Sequence, residues 1–285
     1  MKFLRTFDFR TLAAAFLFST AAAAANADIP PTPPATNKPA KPEAPVVTYP
    51  PLPPAAKSEP IDTAKYSAKI RVACVGDSIT VGMGAGNGPY PRQLQGFLGD
   101  KWEVKTFAIS GITLMNSGNA PFMKKPAYQA AQDYKPDVVI IMLGTNDTKP
   151  KNWEKKADFY KDYESMVKTF AALESKPRIY VCRPCPVPGN GNFGINEAGV
   201  QEQVPIIDKL AADYKLGVID MHTALADHPG NLPDKVHPNK EGAGRMAMAA
   251  YTVLTGKKEA PLPAAGQPAS PAPASAPAPA PALAH

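Results

Sequence analysis

Five short apolar runs recur along the middle of the chain, at residues 69–75, 103–108, 137–143, 178–182 and 217–221. Val138-Val139-Ile140-Ile141-Met142-Leu143 is apolar without a break, the pattern of a central parallel strand covered on both faces. Between the runs the apolar spacing lengthens to the helical period. Phe159, Tyr163, Met166, Val167, Phe170 and Leu173 fall on one face, at i, i+4, i+7 and i+8. A second helix is predicted over Val200–Tyr214, with Val204, Ile207, Leu210 and Ala211 inward, and a third from Lys240 to Leu254. Strands alternating with helices predict an α/β protein, a doubly wound three-layer α/β/α sandwich on a five-stranded parallel, flavodoxin-like sheet. No internal repeat is seen.

The flanks break this pattern. Lys2, Arg5 and Arg10 precede a run of 15 residues, Thr11 to Ala25, and then Ala25-Asn26-Ala27. A basic start, a short apolar run and an A-x-A site predict a signal peptide over residues 1–27, cut before Asp28, and export to the periplasm or beyond the cell. No later stretch is long and apolar enough to span a bilayer. Residues 28–60 hold 12 of the 34 prolines and residues 257–285 hold 8. Both segments lack an apolar face, so they are expected to be an extended, solvated linker and tail. Residues 61–256 remain as one domain, enough for a core of ordinary size.

The net charge of +6 falls to about +4 once the signal is removed, since it carries three basic residues against Asp8. That balance, without a basic stripe interleaved with aromatics, argues against a nucleic-acid partner. Of the three cysteines, Cys74 lies within a strand and is expected to pack as a small apolar side chain. Cys182-Arg183-Pro184-Cys185 has C-x-x-C spacing, but no second Cys or His pair accompanies it. A local disulfide or two unpaired thiols are the readings carried forward.

The candidate chemistry lies at strand ends, where α/β sheets bind their ligands. Gly76-Asp77-Ser78-Ile79-Thr80 follows the first strand and presents a serine. Gly111 follows the second strand, and Gly144-Thr145-Asn146-Asp147 follows the third. Asp234-Lys235-Val236-His237-Pro238 lies beyond the fifth. A serine hydroxyl needs a base to take its proton as it attacks, and a carboxylate three residues before a histidine reaches the same imidazole if the segment turns tightly. Nucleophile, amide donor and carboxylate–histidine pair together suit acyl transfer through a hydroxyl. Asp77 is read as a turn residue, Asp147 as a brace for its own loop, and His222 and His228 as surface or loop histidines. The glycines at 82, 84, 86 and 88 lack the spacing of a dinucleotide loop, and no helix is expected to open at once after them, since Pro89 and Pro91 intervene. They are assigned to a flexible rim beside Ser78.

These blocks, Gly76–Thr80, Gly111 of Ala108-Ile109-Ser110-Gly111, Gly144–Asp147 and Asp234-x-x-His237, resemble the four signature blocks of the SGNH (GDSL-like) esterase and lipase superfamily, over nearly all of residues 69–255. Gly144–Trp153, Gly191–Asn196 and Pro233–Asn239 look more particularly like bacterial exported carbohydrate esterases of the sialate O-acetylesterase and acetylxylan esterase kind. The resemblance implies Ser78 as nucleophile, His237 as base and Asp234 as its orienting carboxylate. An oxyanion hole would be formed by the N–H groups of Ser78 and Gly111 and the amide of Asn146. It implies no metal and no organic cofactor, and an acetylated carbohydrate or other small ester as substrate. Trp153 and Phe193, in loops after the third and fourth strands, are candidates to stack on a sugar ring. A lysophospholipase or thioesterase with a longer acyl groove, a non-catalytic glycan binder and an acyltransferase are the alternatives.

Overall fold

A computed structural model describes residues 49–259. The predicted signal peptide, most of the linker and most of the tail lie outside the described residues. In chain order the elements are β1 (Ile70–Gly76), α1 (Ser78–Val81), α2 (Tyr90–Leu98), β2 (Trp102–Ala108), α3 (Pro126–Asp133), β3 (Val138–Met142), α4 (Pro150–Trp153), α5 (Phe159–Ala171), β4 (Arg178–Arg183), α6 (Glu197–Tyr214), β5 (Gly217–Asp220), α7 (Met221–Ala226) and α8 (Lys240–Thr255). Every strand pair is parallel and the sheet order is β2-β1-β3-β4-β5, the expected flavodoxin-like arrangement.

Strand alternation builds two cores. Val72, Cys74, Val138, Ile140, Met142, Cys182 and Ile219 face one side, packed against Tyr90 and Leu94 of α2 and Met246 and Ala250 of α8. Ala73, Val75, Val139, Ile141, Val181 and Val218 face the other, against Phe159, Met166 and Phe170 of α5 and Ile207 and Leu210 of α6. The helical face read from 159–173 is thus the buried face of α5. Among the described residues no helix is long and apolar enough to cross a membrane.

Two expectations change. A helix does open directly after the glycines, at Tyr90. Pro89 is the N-cap of α2 and Pro91 lies in its first turn, where a missing N–H costs nothing. The segment read as linker up to residue 60 is also not solvated throughout. Arg183 donates to the carbonyl of Pro53 at 2.7 Å, and Arg178 donates to those of Glu59 (2.7 Å) and Pro60 (3.1 Å). The two arginines sit at opposite ends of β4, so residues 53–60 run as a strap from the carboxyl end of the sheet to its amino end. The strap passes alongside the edge strand β5, where a Cβ on Gly217 would meet Ser58 Oγ at 2.9 Å. Prolines lack the N–H that would extend the sheet, so the strap shields this edge without adding a strand. A groove of about 600 Å³ between the strap, β5 and α8 is lined by none of the site residues.

Candidate active site

Ser78 is the first residue of α1, directly after β1. Asp77 caps that helix by accepting from the N–H of Ile79 at 3.0 Å. At a helix start the N–H of Ser78 has no intrahelical acceptor. The turn is sterically demanding: a Cβ on Gly76 would lie 2.0 Å from Thr80 Oγ1 and 2.9 Å from the carbonyl of Met142.

Ser78 Oγ lies 2.8 Å from His237 Nε2, across 159 positions of sequence. His237 Nδ1 lies 2.7 Å from Asp234 Oδ2, while Asp234 Oδ1 accepts from the backbone N–H of His237 (2.7 Å) and of Val236 (3.0 Å). One carboxylate therefore both shapes the turn and orients the imidazole. Partial burial opposes its charge, but these hydrogen bonds outweigh that and hold the Asp234 carboxyl below the usual range. With Nδ1–H donating to Asp234, Nε2 is left to accept the serine proton. Ser78 and His237 are buried, with 7% and 6% exposure, so a reacting group would meet them largely out of water.

The other oxyanion candidates lie in two further loops. Gly111 is left-handed at φ +77°, and nothing lies within 4 Å of where a Cβ would be. Asn146, in the short 3₁₀ segment Thr145–Thr148, donates through Nδ2 to Asp77 Oδ2 at 3.4 Å. Asp77 is thus more than a turn residue, because it also fixes the orientation of the Asn146 amide. Gly144, at φ +118°, leaves room for Gln203, whose amide donates to the Gly144 carbonyl at 2.9 Å.

Asp147 braces a different loop from the one expected. Its carboxylate accepts from the N–H groups of Leu114 (2.9 Å) and Met115 (2.8 Å), just after Gly111. Asn152 adds a second tie, donating to the carbonyl of Asn146 at 2.9 Å and accepting from the N–H of Asn119 at 3.0 Å. The loops of Gly111 and Asn146 are therefore cross-linked by buried side chains. Burial pushes Asp147 up to about 7, against the two backbone donors and with the charge of Asp77 adding to the rise. Burial likewise pushes Asp77 up to about 6, against the Ile79 N–H and the charges of His237 and Lys149.

The rim is closely fitted. A Cβ on Gly84 would lie 3.0 Å from the carbonyl of Pro238 and 3.2 Å from His237 Cβ, so the glycine segment packs on the Asp234–His237 turn. Phe193 is 57% exposed, with its ring centroid 5.7 Å from that of His237. Asn192 ties this loop down by donating to the carbonyl of Asp234 at 3.2 Å. Trp153 is half-buried in α4, edge-on to Phe159, and its indole N–H donates to Glu202 at 3.0 Å.

His222 is not the surface histidine expected. It is buried in α7 with Nε2 2.7 Å from Glu197 Oε1, and the other Glu197 oxygen accepts from the N–H of Val187 at 2.7 Å. This pair anchors the start of the loop that carries Phe193. The partners stand 25 positions apart, so no local motif announces them. His228 is half-buried in a loop. Cys74, Cys182 and Cys185 are free thiols in the core, and burial raises the pKa of each, that of Cys74 to about 12. Among the described residues no cluster of acidic, His or Cys side chains could hold a metal ion.

The chain is 39% identical over 200 residues to an acetylxylan esterase of Xylanibacter ruminicola, a match covering 62% of this chain and 42% of that protein. This chain therefore spans less than half the length of the relative. In fold it is similar to a carbohydrate acetylesterase family member from Sinorhizobium meliloti (TM-score 0.54, 21% identity, covering 65% of this chain and 97% of that one). It is likewise similar to the acetyl xylan esterase AlAXEase (TM-score 0.54, 22% identity, covering 64% and 98%). The model of the GDSL-like lipase/acylhydrolase family matches residues 74–245, which takes in Ser78, Gly111, Asn146, Asp234 and His237, and the chain belongs to that family.

Proposed function

We propose that this chain is an exported serine esterase that removes acetyl groups from a carbohydrate through an acyl-enzyme. The observation that carries the reading is the unbroken line Ser78 Oγ–His237–Asp234, at 2.8 and 2.7 Å, beside two loops that present further donors. In this mechanism His237 Nε2 takes the Ser78 proton as Oγ bonds to the acetyl carbon. The carbonyl electron pair moves onto oxygen, which the N–H groups of Ser78 and Gly111 and the amide of Asn146 would receive. Collapse breaks the bond to the sugar oxygen, which leaves with the proton from His237. Water, deprotonated by the same nitrogen, then releases acetate.

Short acyl groups are favoured because Ile112, Leu114 and Met115, which follow Gly111, are at most 1% exposed and packed into the core. The acetylxylan esterase relative supports the carbohydrate assignment. One observation favours longer or more apolar esters instead: Val81, Met83 and Phe193 are exposed large hydrophobics on segments that contact the Ser78 and His237 turns. Phe193, over the imidazole, is the substrate-stacking candidate. Trp153 is engaged with Phe159 and Glu202.

Acetate release from acetylated glycans, including acetylxylan and O-acetylated sialic acid, tests the reading against Ser78→Ala. Serine-dependent release is expected, with nitrophenyl ester turnover falling from acetate to octanoate. Turnover that rises along that series would replace it with a lipase. Asn146→Ala is expected to lower kcat by about 10²–10³-fold with little change in KM, as loss of one oxyanion donor does. Steady-state kinetics on nitrophenyl acetate would show it, and a loss below about threefold would remove Asn146 from the hole.

A further inference from the structure

One helix grips the Asn146 turn at both of its ends. At the first end Gln203 of α6 donates through Nε2 to the carbonyl of Gly144 at 2.9 Å. The same carbonyl accepts from the N–H of Asp147 at 3.0 Å, the bond that opens the 3₁₀ segment. At the other end Asn196, the N-cap of α6, donates through Nδ2 to the carbonyl of Thr148 at 2.9 Å and through its N–H to Thr148 Oγ1 at 3.3 Å. Thr148 Oγ1 in turn donates to the carbonyl of Thr145 at 2.8 Å. Asn196 and Gln203 are about two turns of helix apart. Between them Gly199 lets α6 seat on the turn, since a Cβ there would lie 2.7 Å from Thr148 Cβ.

Two features give this grip a role beyond folding. Gln203 is fully buried, and among the described residues its Oε1 has no hydrogen-bond partner. A buried amide oxygen without a partner costs stability, and an apolar side chain of the same length would avoid that cost. Nor is the Nε2 donor needed to satisfy Gly144, whose carbonyl already has the Asp147 N–H. The second donor adds direction: it holds that carbonyl in place on a residue at φ +118°. The other feature is the tether of Asn146 itself. Its Nδ2 reaches Asp77 at 3.4 Å, a long hydrogen bond that holds the amide only loosely. The placing of the amide therefore falls largely to the backbone of the turn.

We propose that Gln203 and Asn196 are positioning residues for ester cleavage, fixing the segment from Gly144 to Thr148 so that the Asn146 amide stands where the oxyanion forms. The proposal rests on the esterase reading above and on Asn146 as an oxyanion donor, and extends both to a helix outside the Ser78–His237–Asp234 line. Such a donor is effective only when it is fixed before the charge appears, to within about 0.5 Å.

The test uses two substitutions that spare the helix. Gln203→Met keeps the length of the side chain and removes both the donor and the orphan oxygen. Asn196→Asp can still cap α6 by accepting from the Gly199 N–H, but it cannot donate to the Thr148 carbonyl. On nitrophenyl acetate each is expected to lower kcat about tenfold with KM within about twofold. The Tm of Gln203→Met is expected to stay within about 2 °C of wild type. In an Asn146→Ala background the same substitutions are expected to change kcat less than about twofold, because the donor they position is gone. A kcat within about twofold of wild type would overturn the role of the residue concerned. A loss that recurs undiminished in Asn146→Ala would overturn the proposal for both, and so would a loss that only tracks the folded fraction read by circular dichroism. If Asn146→Ala alone leaves kcat within about threefold of wild type, the proposal falls with the oxyanion role of Asn146, and the esterase stands. Wild type inactive on nitrophenyl acetate would overturn the esterase reading itself.

Discussion

His237→Ala is expected to cut turnover of nitrophenyl acetate by about 10⁴-fold or more, and Ser78→Ala by a similar factor. The double variant is expected to be no worse than either single one. In the proposed mechanism the proton leaves Oγ for Nε2 in the same step that forms the bond to the acyl carbon, so removing either partner removes the whole event. Asp234→Asn keeps the shape of the side chain. Its amide, however, cannot accept from both the backbone N–H groups and Nδ1–H, as the carboxylate now does. It should favour the wrong imidazole tautomer and cost about 10⁴-fold in kcat with KM little altered. Losses that add in the double variant would mean that Ser78 and His237 act separately, and that would sink the acyl-enzyme mechanism.

The residues proposed to carry this chemistry were legible in the sequence because each is announced locally. Ser78 follows a strand that ends at a glycine, and Asp234 and His237 are three positions apart on one turn. The strands were legible for a similar reason: a buried parallel strand such as β3 has no polar face, so its apolar run marks it directly. What supports the site was hidden. Asp147 ties to Leu114 and Met115, 33 and 32 positions away, through backbone N–H groups that any residue would supply. His222 meets Glu197 because α7 packs beside the start of α6, and neither residue's neighbours signal the other. The strap was misread for a different reason. Proline-rich composition says only that a segment has no apolar face of its own, and residues 53–60 are held by their carbonyl oxygens, which composition does not report.

The strap leads to the largest stability effect expected. Arg183, 1% exposed, donates to Asp208 through Nε (3.0 Å) and Nη2 (2.6 Å), and through Nη1 to Asp220 (2.8 Å) and the Pro53 carbonyl (2.7 Å). Burial opposes the charge on the guanidinium, but these carboxylates outweigh it and hold its pKa above the ordinary value. Arg183→Ala would leave two carboxylates facing a void and a carbonyl without its donor. Removing one partner of such a buried group typically costs about 3–5 kcal/mol. For a domain of this size that is a fall in Tm of about 10 °C. The cost should come mainly from the stranded charges rather than from lost packing, so Arg183→Met with Asp208→Asn and Asp220→Asn should recover much of it. Deleting residues 49–60 while keeping Arg183 should cost less, because the two carboxylates stay paired. Urea unfolding of the four proteins orders these contributions. If the deletion proves as damaging as Arg183→Ala, the strap rather than the ion network holds this edge. If Arg183→Ala costs under 1 kcal/mol, Arg183 is not the clamp at the carboxyl end of β4 inferred here. The same clamp holds Pro53 at the end of the sheet that carries Ser78 and Asn146. Breaking it should therefore loosen the strap there and leave the Ser78–His237 pair, to which Arg183 makes no hydrogen bond, in place.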